Sequence, residues 1–247
     1  MATIGNHSWQ ESLKVRDAVR EVLRECTTLE TATQRLAEVL FAEFEESIVL
    51  VRCFVTVPYA ALPTANQKFV DTLAREKDIT AEITDEVPVL SLLGTSGVQD
   101  AWNDRRLSKG HIGIPLVSVS FVESIPMIAR LLKELDVKLE WLSNVESTGL
   151  SEKELAGGWI GTFYVREAAT ATDYQGRFII PAQDFVAENQ IKTVFGLGGI
   201  YPQGNLFTLV VFTRDIIEKD SLAEFTPLIP LIAANTSHLI KTGEIFL

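Results

Sequence analysis

Thr193-Val-Phe-Gly-Leu-Gly-Gly-Ile200 and Leu206-Phe-Thr-Leu-Val-Val-Phe-Thr213, joined by Tyr201-Pro-Gln-Gly-Asn205, decide the fold class. Both runs are rich in β-branched and aromatic residues. The proline and glycine between them suit a tight turn, so the segment predicts an antiparallel hairpin. Two consecutive antiparallel strands break the strand–helix alternation of a doubly wound parallel sheet, which points to an α+β fold. Upstream, Trp159-Ile-Gly-Thr-Phe-Tyr-Val165 reads as another strand. Downstream, residues 220–241 read as helical, and Pro227 and Pro230 leave two outcomes. Either the helix kinks, or Thr226 caps a fresh helix with Pro227 at its first position.

Further out from the hairpin, the first 46 residues read as two amphipathic helices. Ser8-Trp-Gln-Glu11 and Thr27-Thr-Leu-Glu30 each match a capping box, in which a hydroxyl reaches forward and a carboxylate reaches back. Val15, Val19, Val22 and Leu23 then recur at helical spacing, as do Thr33, Leu36, Ala37 and Leu40. Residues 47–247 read as a sheet core with insertions, in one domain spanning 1–247. Its first strand is Ile48-Val-Leu-Val-Arg-Cys-Phe-Val-Thr-Val57, ending at Pro58. A short helix follows over 62–75, then a strand over 87–95 that Gly94 and Gly97 end. After a polar loop over 98–111, a helix begins beyond Pro126 with Ile128, Leu131, Leu132 and Leu135 on one side. No internal repeat or flexible linker interrupts this order.

The chain of 247 residues carries 22 basic and 33 acidic side chains, a net charge of −11. That balance repels phosphate backbones and disfavours a general nucleic-acid or anionic-membrane binder. The N-terminus lacks the basic and apolar regions of a signal peptide, and no apolar run approaches the length of a membrane span, so a cytoplasmic location is expected. Without secretion, the sequons at Asn6 and Asn235 carry no meaning. Cys26 and Cys53 form no CxxC and read as two buried thiols in a reducing compartment.

Catalytic templates fail in turn. Gly94-Thr-Ser-Gly97 lacks the last glycine of a nucleophile elbow, and Gly196-Leu-Gly-Gly199 leads into a hairpin rather than a phosphate-binding helix. His7, His111 and His238 lie too far apart in sequence for a zinc motif, so neither a catalytic nor a metal site is expected, and no cofactor is specified. Trp102-Asn-Asp-Arg-Arg-Leu-Ser-Lys-Gly-His111 differs from packing or solvation patterns. It sets an aromatic plate beside two guanidiniums, which suit a carboxylate or phosphate, so Trp102, Asn103, Asp104, Arg105, Arg106 and His111 are candidate ligand contacts. The bland alternative has Trp102 plugging the core edge while Asp104 pairs with Arg105 or Arg106. A second candidate surface is the odd-numbered set Phe163, Val165, Phe195, Leu197, Phe207 and Leu209, read as one inner sheet face. Tyr164 and Tyr201 are placed to lend hydroxyls to its rim, and Tyr164 and Phe195 join the candidate contacts. Core packing is the alternative here.

The order of elements resembles the GAF family of sensory domains, best over Trp159–Lys241, where Ile191-Lys-Thr-Val-Phe-Gly-Leu-Gly-Gly-Ile200, the turn, Leu206-Phe-Thr-Leu-Val-Val-Phe-Thr-Arg214 and a closing helix match the last two strands and final helix. Leu93-Gly-Thr95, Trp102-Asn-Asp-Arg-Arg106, Lys109-Gly-His111 and Ile114-Pro-Leu116 are similar to an N-terminal sensory module of some bacterial histidine kinases, response-regulator proteins and cyclases. No catalytic residues carry over from that resemblance. It implies a non-enzymatic sensor or adaptor that binds a small ligand or a partner protein in signal transduction. In such proteins an output domain follows. No kinase, cyclase or receiver sequence follows the closing helix here, so a separate signalling partner or a homodimer through the amphipathic terminal helices is expected. The alternatives are a thiol-based redox enzyme using Cys53 and a ligand-free interaction scaffold. Arg52 points to the other strand face from Cys53, which argues against an activated thiolate.

Overall fold

The expected hairpin lies within a six-stranded, wholly antiparallel sheet. The computed structural model describes residues 4–6, 9–108, 110–137 and 160–247. Its strands are Ile48–Pro58 (β1), Pro88–Gly97 (β2), Gly113–Pro115 (β3), Ile160–Val165 (β4), Thr193–Ile200 (β5) and Leu206–Thr213 (β6), ordered β3-β2-β1-β6-β5-β4. The helices are Trp9–Arg24 (α1), Leu29–Glu43 (α2), Thr64–Glu76 (α3), Val119–Glu123 (α4), Pro126–Glu134 (α5), Gln183–Glu188 (α6) and Leu228–Thr242 (α7). The architecture is α+β, as the hairpin predicts.

The sheet separates two apolar cores. On one face Val51, Cys53, Leu197 and Leu209 pack under α1, α2 and α7. On the other, Leu50, Phe54, Val210 and Phe212 face α5 and the loops around it. β1 is interior and apolar towards both layers, and along its run only Arg52 and the terminal Pro58 are not fully buried. Gly94 lies inside β2 rather than at its end. A Cβ there would sit 2.3 Å from the Thr33 backbone, so the glycine lets α2 lie directly on the strand.

Several boundaries differ from expectation for local physical reasons. The cap of α2 is Thr28, whose hydroxyl accepts from the Thr31 amide, so the Thr27–Glu30 box does not form. Glu30 is instead buried, and the Leu29 and Glu30 amides donate to the Glu244 and Ile245 carbonyls at 2.9 and 2.8 Å. The tail after α7 thereby satisfies donors that a helix start otherwise leaves open. The closing region is a short 3-10 turn followed by a fresh helix with Pro227 at its N-cap, one residue later than expected. Pro230 falls in the first turn, where a missing amide costs little. β3 and α4 were not expected from the pattern. The capping box at Ser8 and the strand start at Trp159 involve residues outside those described.

The sheet also corrects the inner-face reading. Phe163 pairs with Gly196 and Val165 with Val194, so odd residues of β4 share a face with even residues of β5. Phe163 and Val165 therefore join the core around α5, while Phe195, Leu197, Phe207 and Leu209 join the core under α1, α2 and α7. Alternation holds within each strand, but inter-strand register sets which parity meets which.

Candidate functional site

A cavity of about 790 Å³ lies on the sheet face opposite α1, α2 and α7. Leu50, Phe54, Leu90, Val210 and Phe212 form part of its floor and are buried, and α5 contributes Ile128 and Leu131. Gln99, Leu107, His111 and Ala182 line it and are exposed, which places them at its mouth. One wall is aromatic. Trp102 meets Phe185 edge-on at 5.5 Å between ring centroids, and Phe185 meets Phe212 in the same way at 5.5 Å. Gly97 makes room for this wall, because a Cβ there would stand 2.9 Å from the Trp102 ring.

Arg52 rises from the floor between Leu50 and Phe54 on β1. Its terminal nitrogens donate to the Gly110 carbonyl at 3.3 Å and the Ser108 hydroxyl at 3.1 Å. Its buried Nε has no partner among the described residues. Burial pulls its guanidinium down to about 10, which still leaves it a cation at neutral pH. His111 adopts a left-handed backbone, with φ of 56°. Burial first, and then the charge of Arg52, hold its imidazole below the usual histidine range. His111 is exposed yet lines the concavity, so the walls around it desolvate the ring without covering it. No acidic side chain lines the cavity among the described residues.

The loop singled out in sequence therefore divides. Trp102 and His111 line the cavity, while Asn103, Asp104, Arg105 and Arg106 do not. The Asn103 carboxamide oxygen accepts from the Gly97 amide at 2.8 Å, and Asp104 caps the Arg106 amide at 2.8 Å. Arg105 is buried, donating to Glu30 at 2.7 Å and Asn66 at 3.2 Å with Phe246 stacked 5.2 Å from its guanidinium carbon. Arg106 donates to the other Glu30 oxygen at 2.7 Å. Both arginines are thus occupied in holding the loop to α2, although their main partner is Glu30 rather than Asp104. Asp104 stands 3.5 Å from Arg106.

Tyr164 and Phe195 are corrected as cavity contacts. The Tyr164 hydroxyl donates to the Ile217 carbonyl, and Phe195 packs on Phe225, both in the opposite core. Tyr201 is buried there too, sharing a hydrogen bond with Thr236 at 2.8 Å. The sequence reading missed Arg52 as a cavity residue. Its signal was a single charge in the middle of an interior apolar strand.

Among the described residues no group of three or more His, Cys, Asp or Glu side chains is placed to hold a metal ion, and no helix is long and apolar enough to cross a membrane. No protein-family model matches the sequence, and no curated protein matches it. Similar solved structures exist at low identity. The GAF domain of a phosphoenolpyruvate-protein phosphotransferase from Coxiella burnetii superposes with a TM-score of 0.51 at 12% identity, covering 96% of this chain and 99% of that one. The free methionine-R-sulfoxide reductase of Neisseria meningitidis, in complex with its substrate, gives 0.48 at 10% identity over 98% of both chains. A phycocyanobilin-bound GAF domain from a cyanobacterial phytochrome gives 0.48 at 11% identity, covering 94% of this chain and 96% of that one. By its strand order, its helical layer and its superposition on the phosphotransferase domain, this chain has a GAF-like fold.

Proposed function

We propose that this protein is a non-enzymatic sensory domain that binds an apolar small molecule between the sheet and the segment around Trp102–His111. The observation that carries the reading is the cavity of about 790 Å³, within the range of small-molecule sites and floored by a rigid sheet. Occupancy would bias the arrangement of the loop that Arg105 and Arg106 fasten to α2, and so reach a signalling partner or a second copy through the helical layer. A cytoplasmic setting belongs to the same reading.

The cysteines favour this over thiol chemistry. Cys53 is wholly buried on the face away from the cavity, and burial pushes its thiol far above the ordinary range. Burial also raises the thiol of Cys26. A thiolate nucleophile needs the opposite environment.

Native mass spectrometry of the protein purified gently from its own cells tests the proposal. The expected result is a small-molecule mass retained at one per chain, lost in Ala182→Trp, which places an indole at the mouth. Bare protein, unchanged after incubation with extract from the same cells, would refute it.

A further inference from the structure

We infer that the cavity selects an apolar molecule bearing a single oxyanion of the carboxylate type, and that Arg52 is the residue that reads the charge. The inference rests on the cavity being a ligand site and adds the chemical class of the ligand.

Arg105, which is buried, and Arg52, half-buried on the cavity floor, differ in one respect. Arg105 is neutralised by Glu30 at 2.7 Å and further held by Asn66 and Phe246. Arg52 has only neutral oxygens as hydrogen-bond partners among the described residues, and its Nε has none. Holding a half-buried cation without a counter-charge is costly, and the cavity that Arg52 lines is the side from which a counter-charge can reach it. The chain as a whole carries a net charge of −11. Yet no carboxylate is spent on this guanidinium, while Glu30 serves two others.

The surroundings set the rest of the ligand. Leu50 and Phe54 flank Arg52 on its own strand, and Trp102, Phe185 and Phe212 offer ring edges and faces nearby. That suits a flat or polycyclic apolar body. A dianion such as a phosphate monoester would call for more positive charge than the cavity supplies. His111, the other ionisable group on the wall, is held towards its neutral form.

Fluorescence titration of the full chain with 1-pyrenebutyrate, 1-pyrenebutanol and 1-pyrenebutylamine tests this, because the three share one apolar body and differ in charge. The expected order is carboxylate tightest and amine weakest. A charge-assisted hydrogen bond in an enclosed site gives the carboxylate an advantage of about tenfold or more over the alcohol. In Arg52→Gln that advantage collapses while alcohol affinity holds, and in Arg52→Lys, which keeps a cation, an advantage persists. Equal affinity for carboxylate and alcohol in the wild-type chain overturns the inference and leaves the cavity reading standing, as does an advantage that survives Arg52→Gln. Binding of none of the three removes both. The wild-type comparison decides the question even where a variant does not fold.

Discussion

Replacing Glu30 by alanine removes the carboxylate that neutralises Arg105, and the structure sets the size of the effect. The side chains of Arg105 and Glu30 are 6% and 4% exposed, at 2.7 Å, so the pair is buried on both sides. Deleting one member of such a pair strands the other charge in low dielectric, at a cost of about 3–5 kcal/mol. For a chain of this length, each kcal/mol lowers the melting temperature by roughly 2–4 °C, so the variant should melt roughly 6–20 °C lower. Arg106 shares the same carboxylate but is 52% exposed, and Arg106→Ala should cost about 0–1 kcal/mol because solvent screens it. Glu30→Leu with Arg105→Met should recover most of the loss, since it removes both charges and keeps apolar volume. Urea unfolding followed by circular dichroism measures these three variants together with Arg105→Ala. Either of two results would refute the reasoning: a loss below about 1 kcal/mol in Glu30→Ala, or an Arg106→Ala cost matching that of Arg105→Ala.

Gly94→Ala should destabilise the fold by about 2 kcal/mol or more, because its Cβ would overlap the α2 backbone, whereas Gly110→Ala, which meets nothing within 4 Å, should be near neutral. Differential scanning calorimetry distinguishes the two, and equal melting temperatures would contradict the close packing of α2 on β2. The imidazole of His111 is held below its unfolded value of about 6.5, so the unfolded chain binds more protons between the two values. The His111 contribution is therefore intact above about pH 6.5 and is lost as pH falls through the folded value. Urea midpoints should accordingly drop more steeply between pH 7 and pH 5 in the wild type than in His111→Asn, which tolerates the same left-handed backbone. Cys53 should resist thiol reagents at neutral pH until the protein unfolds, as its side chain is wholly buried and its thiol strongly raised. Fast labelling under native conditions would favour the thiol-enzyme alternative.

The hairpin was legible because composition and turn chemistry both speak locally, and β5 and β6 take the residues expected. β1 was legible as a strand from the same density of β-branched residues, and its interior place comes from pairing with β2 and β6. What failed depended on partners distant in sequence. Arg105 and Arg106 read either as ligand contacts or as partners of Asp104, but Glu30 stands 75 and 76 residues earlier, and no spacing rule links them. The odd-numbered face was misread because alternation is a property of one strand, while the register with the next is set by pairing. Trp102 was found as an aromatic in a polar loop, and its role on the cavity wall depends on Phe185 and Phe212 arriving from elsewhere.

The segment that begins at Trp102 is fastened to α2 near its start and to the sheet again just after His111. Gln34 on α2 grips the Thr95 and Asn103 carbonyls, and Glu30 grips the two arginines that follow. Beyond them Leu107 and His111 are exposed, Ser108 and Gly110 accept hydrogen bonds from Arg52, and the Ile112 carbonyl accepts from the Leu92 amide of β2 at 2.9 Å. Any strain that a guest imposed on this segment would therefore fall on two places at once, the start of α2 through Glu30 and the middle of β2 through Leu92.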